Sequence, residues 1–151
     1  MIRTQKRAID TNSTKLYFQT LVTYIVVDVA YQAVIGLKLL TAFLSTSPLK
    51  EVYVQPTAVG AGLMLLFFCI IAMANLQLCI RPGLADSSPG KAALNGGLLG
   101  LTAYGTLALT NGWSLGGFPL LLSLTITVEG LIFSMVTSGA VTWWHLRGKA
   151  S

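Results

Sequence analysis

The sequence contains few charged side chains. Asp, Glu, Lys and Arg together make up 10% of the 151 residues, whereas an ordinary soluble domain carries about 25%. Hydrophobic residues account for 54%, and the mean hydropathy is +0.71. A soluble chain of this size would have too little polar surface to cover itself. The composition therefore predicts a single all-α domain that is integral to a membrane.

Residues that usually carry chemistry are scarce as well. His145 is the single histidine, and Cys69 and Cys79 lie ten residues apart, about 15 Å along a helix, which is too far for a disulfide. A transition-metal site is therefore not expected. Gly-x-Ser-x-Gly occurs at 112–116, but it lies in a short loop between two apolar runs and not on a strand-to-helix turn, and no phosphate-binding glycine loop is present. We expect no catalytic residue, no metal and no cofactor.

The basic residues follow a membrane pattern and not a nucleic-acid pattern. The net charge is +5 and the pI is about 9.5, but the cations lie outside the apolar runs and no nucleic-acid motif accompanies them. The expected partner is therefore a lipid bilayer, and nucleic acid is not expected.

Four apolar runs are long enough to cross a membrane, since about 20 helical residues span the ~30 Å hydrocarbon core. The predicted spans are 16–40, 58–80, 92–110 and 118–140, the last with an interfacial extension to 146. They predict a four-helix bundle over 16–146, between a polar basic tail at 1–15 and a basic tail at 147–151. Arg81-Pro82-Gly83 is expected to end the second span, because it combines a charge with two helix breakers.

The distribution of basic residues predicts the orientation. With four spans, both termini and the second loop share one side, which holds eight of the ten basic residues, and Lys38 and Lys50 lie on the other. The positive-inside bias then places both termini in the cytoplasm or an equivalent compartment.

Small residues recur on the third and fourth predicted helices. Such stripes let membrane helices approach closely, because packing and not hydrophobicity drives their association. They are predicted to pack within the bundle or to mediate self-association, and they comprise Gly96, Gly100, Ala103, Ser123, Thr127, Gly130 and Ser134.

Two acids, Asp28 and Glu129, lie about halfway along the first and fourth spans. A charge at that depth is costly, so such residues are functional candidates by default. Polar residues at helical spacing accompany them, namely Tyr24, Tyr31, Gln32, Tyr104 and Thr125. Three interpretations stay open: a hydrogen-bonded structural core, a ligand- or ion-binding pocket, and a proton relay.

The segment GLLGLTAYGT at 97–106, followed by LTN at 109–111, resembles a motif close to G-L-x-A-Y-x-T-Y-D-L-T-N of the bacterial DUF2177 membrane proteins. The stretch YIVVD at 24–28 is similar to that family's apolar run ending in Asp, and Gly130 and Ser134 match its W-G-x-x-x-S pattern. The resemblance implies a compact four-helix membrane protein of unknown activity.

The chain departs from the family pattern at its acids. Leu107-Ala108 replaces the family's Tyr-Asp, Ile126 stands where it has Asp, and Glu129 stands where it has Trp. Asp28 is the one family acid that is retained.

Three functions follow as hypotheses. The first is a non-catalytic subunit or assembly factor of a membrane complex, which the small-residue stripes and short loops favour. The alternative is a small transporter or binder of a lipid-like or weakly polar ligand that uses the acidic pocket. A membrane enzyme acting on lipid is the third, although no residue pattern argues for one.

Overall fold

A computed structural model describes the backbone at 2–36, 38, 41–42, 58–114 and 120–148, with side chains from residue 13 onward except at 111–114. All regular structure in these ranges is helical. Helix α1 spans Ile2–Tyr31 and continues as a π-helical turn at Gln32–Gly36. Helix α2 spans Ala58–Asn75 and continues through a second π-helical turn, Leu76–Ile80, into the short helical segment Arg81–Ala85. Helices α3 and α4 span Pro89–Ser114 and Leu120–Arg147.

Four helical segments of the described chain are long and apolar enough to cross a membrane. They are Ser13–Gly36, Ala58–Ala85, Pro89–Thr110 and Leu120–Arg147. The prediction of an all-α, four-helix integral membrane protein is therefore confirmed.

The bundle distributes its polarity in the manner of a membrane protein. Large apolar side chains such as Leu109 and Leu120 are 76% and 74% exposed, whereas Thr20, Asn75 and Ser134 are fully buried. Lipid is the solvent that makes this arrangement favourable, because exposed leucine costs nothing there and buried polar groups find partners inside the protein.

Helices α3 and α4 are in direct backbone contact. A Cβ atom built on Gly100 would overlap the carbonyl oxygen of Gly130, and one built on Gly96 would overlap the carbonyl oxygen of Ser134. The small-residue stripes of the third and fourth helices thus lie against each other. Further along the same seam, the Ser123 hydroxyl donates to the Ala108 carbonyl at 3.4 Å.

Helix α1 begins well before the predicted first span. The sequence predicted a polar tail over 1–15, whereas α1 begins at Ile2. No glycine or proline precedes Gly36, so no residue in the segment breaks a helix, and the membrane span supplies a nucleus from which it extends.

The second helical segment also continues past its predicted end. The N–H of Arg81 donates to the carbonyl of Leu76, five residues back, and Pro82 then lies in the first turn of Arg81–Ala85. The wider π turn relieves the clash that proline makes with the preceding helical turn, and a first-turn proline needs no N–H partner. The connection to α3 is therefore only three residues, 86–88.

Helix α3 likewise continues to Ser114, across part of a segment that was predicted as a loop. The remainder of that loop, at 115–117, lies outside the described residues, as do the first two residues of the predicted fourth span, at 118–119, and most of the first loop, at 43–57.

Candidate functional site

The two predicted acids lie at matching depths on neighbouring helices. Asp28 lies eight residues before the end of its span at Gly36, and Glu129 lies nine residues after the start of its span at Leu120. Each is thus about 12–14 Å from that end of the bundle. Asp28 is 7% exposed and Glu129 is half-buried. The two carboxyl groups are close enough to interact electrostatically.

Each carboxyl group has a hydrogen-bonding neighbour on α1 or its π-helical extension. The Tyr31 hydroxyl interacts with Glu129 across the α1–α4 interface, and the Gln32 side chain interacts with Asp28. Gln32 begins the π-helical turn, and its side-chain oxygen occupies the space that a Cβ on Gly36 would need. The absence of a side chain at Gly36 therefore leaves room for the Gln32 amide.

Two tyrosines complete the group. The hydroxyl oxygens of Tyr24 on α1 and Tyr104 on α3 are 2.8 Å apart, and both side chains are buried. The Tyr104 ring lies directly on Gly130, where a Cβ would overlap it. The absence of a side chain at Gly130 therefore lets α3 and α4 approach closely and also leaves room for the Tyr104 ring. We refer to Tyr24, Asp28, Tyr31, Gln32, Tyr104 and Glu129 as the acidic site.

Aromatic rings enclose the acidic site and restrict its tyrosines. The ring centroids of Tyr31 and Phe133 are 5.2 Å apart, and those of Phe67 and Tyr104 are 5.4 Å apart. Tyr24 lies 5.9 Å from Phe68 and 6.2 Å from Phe133. Edge-on contacts of this kind hold the rings in place, so the hydroxyl groups are presented in a fixed arrangement.

A second buried polar group lies beside the acidic site. The Asn75 amide nitrogen donates to the Ile71 carbonyl at 2.9 Å and reaches the Ser134 hydroxyl at 3.5 Å, while the Ser138 hydroxyl donates to the Asn75 side-chain oxygen at 2.7 Å. We call Asn75, Ser134 and Ser138 the amide cluster. Tyr24 also has a side-chain interaction with Ser134, so the two groups are connected.

Sequence reasoning assigned only part of this arrangement. Ser134 was assigned to packing, Asn75 was considered for a polar core without its partners, and Ser138 was not predicted. The available signal was an asparagine at the end of a strongly apolar run, which must find a partner when it is buried.

The hydrogen bond that Thr125 makes does not connect it to the acidic site. Its hydroxyl donates to the Leu121 carbonyl of its own helix at 2.8 Å. Thr127, predicted for packing, donates in the same way to Ser123 at 2.8 Å, and Ala103 packs against the apolar cluster around Tyr24.

The chemistry of the acidic site is that of hydrogen bonding and charge. Two carboxyl groups, three phenols and one amide converge from three helices. The described residues contain no group of three His, Cys, Asp or Glu side chains that could hold a metal ion. The site is suited to a ligand that donates hydrogen bonds, or carries positive charge, on an apolar body.

The comparisons with known proteins give one match. The model of a family described as "Predicted membrane protein (DUF2177)" matches residues 13–144. Neither the curated proteins nor the solved structures that were compared gave a significant match.

Proposed function

The chain belongs to the DUF2177 family of predicted membrane proteins, and from that premise we propose that it is a small transporter or binder of a weakly polar ligand. The acidic site is the binding site in this proposal. The observation that supports it is the placement of Asp28 and Glu129 at matching depths on neighbouring helices, among aromatic rings and inside the hydrocarbon depth of the bundle.

Two carboxyl groups at this depth are an energetically unfavourable way to join helices if they have no other role. An interhelical hydrogen bond in a membrane contributes about 0.6 kcal/mol on average, and one polar residue is enough to make it. A second carboxyl group adds desolvation cost, and it adds repulsion whenever both groups are charged. A ligand that hydrogen-bonds to both carboxyl groups offsets these costs.

The matched probe is an amphiphilic amine, which combines hydrogen-bond donors and a positive charge with an apolar body. We expect the purified chain to bind such a probe, and Asp28→Asn or Glu129→Gln to weaken binding about tenfold or more, since each removes a group that can take up the negative charge facing the amine. Calorimetric titration in mild detergent measures both effects.

Thr125→Val is the control for this experiment. It removes a polar group one turn from Glu129, but one whose hydrogen bond stays within α4. The transporter proposal would be contradicted if both acid variants bound the probe as tightly as the unaltered chain. It would also be contradicted if Thr125→Val lost as much affinity as the acid variants.

A second proposal, the subunit or assembly factor, is supported by the outer half of α2. All nine residues from Ala58 to Leu66 are exposed, and a Cβ on Gly62 would meet no described atom within 4 Å. An exposed helix face with several small residues suits another membrane helix, from a different subunit or a second copy. Gentle extraction followed by native mass spectrometry tests this proposal, and a lone monomer in every detergent would contradict it.

We also propose that both termini lie on the cytoplasmic side. The charge bias of the sequence supports this, and most of the described cations gather at one end of the bundle. Arg81 donates to Ser13 at 3.0 Å, Lys91 pairs with Asp86, and Arg147 lies 4.4 Å above the Trp143 ring. We call this the basic end. A cysteine placed at the exposed Ser87, in a chain without Cys69 and Cys79, should react with an impermeant maleimide only from the cytoplasmic side.

A further inference from the structure

We propose that a groove between α1 and α4, at the basic end, binds the headgroup and upper acyl chain of an anionic phospholipid. The groove is separate from the acidic site. Its volume is about 370 Å³, within the range of small-molecule sites. Seven residues line it, five from α1 and two from α4, namely Lys15, Phe18, Gln19, Val22, Thr23, Val141 and Trp144.

The polar residues of the groove form a single line on α1. Lys15, Gln19 and Thr23 recur at steps of four, so they lie one above another on one helix face. Each step descends about 6 Å toward the bilayer centre. A phospholipid presents its groups in the same order, with the phosphate outermost, the ester carbonyls below it and the hydrocarbon last.

The chemistry matches at each level. The Lys15 ammonium is the counter-ion of a phosphate, and the Gln19 amide and Thr23 hydroxyl supply donors to ester carbonyls. Gln19 is exposed within a membrane span, a position that is costly unless its amide finds a polar partner. An ester group provides that partner at this depth, whereas hydrocarbon does not.

The walls of the groove are apolar. Phe18 and Val22 are 57% and 56% exposed on α1, and Trp144 is 73% exposed on α4. Tryptophan is typical of the headgroup level, where its ring is apolar and its N–H meets polar lipid groups. The groove therefore has a polar edge and an apolar floor that suit one lipid molecule.

The charge of the surroundings selects an anionic headgroup. Arg81 and Arg147 lie at the same end as Lys15, and Asp86, the one carboxylate described there, is engaged by Lys91. A surface lysine contributes about fivefold to the binding of an anionic lipid. A zwitterionic headgroup gains much less, since its own cation meets the same positive field.

The test is lipid retention in nanodiscs that contain equal amounts of phosphatidylglycerol and phosphatidylcholine. The chain is released from these discs in a native mass spectrometer. We expect phosphatidylglycerol to be retained in preference, and Lys15→Gln to lower its retention about fivefold. Lys91→Gln is the matched control, because it removes an equal charge at the same end but outside the groove. Equal retention of both lipids, or an equal loss in both variants, would overturn the proposal.

A second pair of variants tests the shape of the groove. Val22→Trp fills it and should displace the lipid, whereas Val26→Trp, equally exposed at 59% one turn further along α1 but outside the lining, should not. Retention by Val22→Trp equal to that of Val26→Trp would contradict the assignment. Asp28→Asn should keep the lipid, so failure of the acidic-site proposal would be seen separately.

Discussion

Two halves of the bundle are held together in different ways. Helices α3 and α4 meet backbone to backbone through Gly96, Gly100 and Gly130. Helices α1 and α2 are attached through side chains, as where the Tyr17 hydroxyl donates to the Cys69 carbonyl at 3.3 Å. The close pair is a scaffold that has no room for a Cβ atom at these three glycines. The acidic site and the groove both lie where α1 meets this scaffold through side chains.

The largest expected effect comes from breaking the scaffold. Gly100→Leu forces a side chain into the Gly130 backbone, and backbone cannot move aside as a flexible side chain can. We expect a loss of about 3 kcal/mol in the free energy of unfolding. Steric trapping of unfolding in bicelles measures it.

Gly62→Leu is the control for this prediction, because a side chain there meets open space. Equal destabilisation by both changes would show that intrinsic helix effects, and not the α3–α4 seam, account for the loss.

A smaller effect is expected at the amide cluster, which joins α2 to the scaffold. Asn75→Leu deprives Ser138 of its acceptor inside the protein, so we expect a loss of about 2 kcal/mol in the same unfolding measurement. Asn95→Leu, at a half-buried asparagine for which the described chain shows no side-chain hydrogen bond, should cost less. If Asn75→Leu and Asn95→Leu lower the free energy of unfolding equally, the amide cluster does not stabilise the bundle.

The smallest effect is expected where α1 touches α3. A double-mutant cycle of Tyr24→Phe and Tyr104→Phe isolates the bond between their hydroxyl groups. Its coupling energy should be about 0.6 kcal/mol and below about 1.7 kcal/mol, the range found for membrane helices. Additive variants would mean that the two hydroxyl groups, 2.8 Å apart, stabilise the fold independently.

The number and type of helices could be predicted from the sequence, because hydropathy and length alone require them. The ends of the helices were harder to predict. Pro82 ends a regular α-helix, but the preceding π turn cannot be predicted from composition, and it lets the helical segment continue to Ala85.

For the acidic site, helical spacing grouped Tyr24, Asp28 and Tyr31, and an acid at membrane depth identified Glu129. Spacing along one helix does not say which helices are neighbours, so Thr125 was grouped with residues that its hydrogen bond does not reach. The same limit explains why the partners of Asn75 were not predicted. Its partners Ser134 and Ser138 are about 60 positions away in sequence.

The π turn at Leu76–Ile80 also bears on how chain length can vary. A π turn holds one residue more than an α turn, so it is the shape a helix takes after absorbing a single inserted residue. An inserted residue adds rotation and rise to a helix. Here both are absorbed within five residues, so the rest of the segment keeps its position. Loss of one residue there should restore a regular helix and leave the contacts of α2 before it and of Arg81–Ala85 after it in place. The membrane helices of a protein built this way can change length one residue at a time.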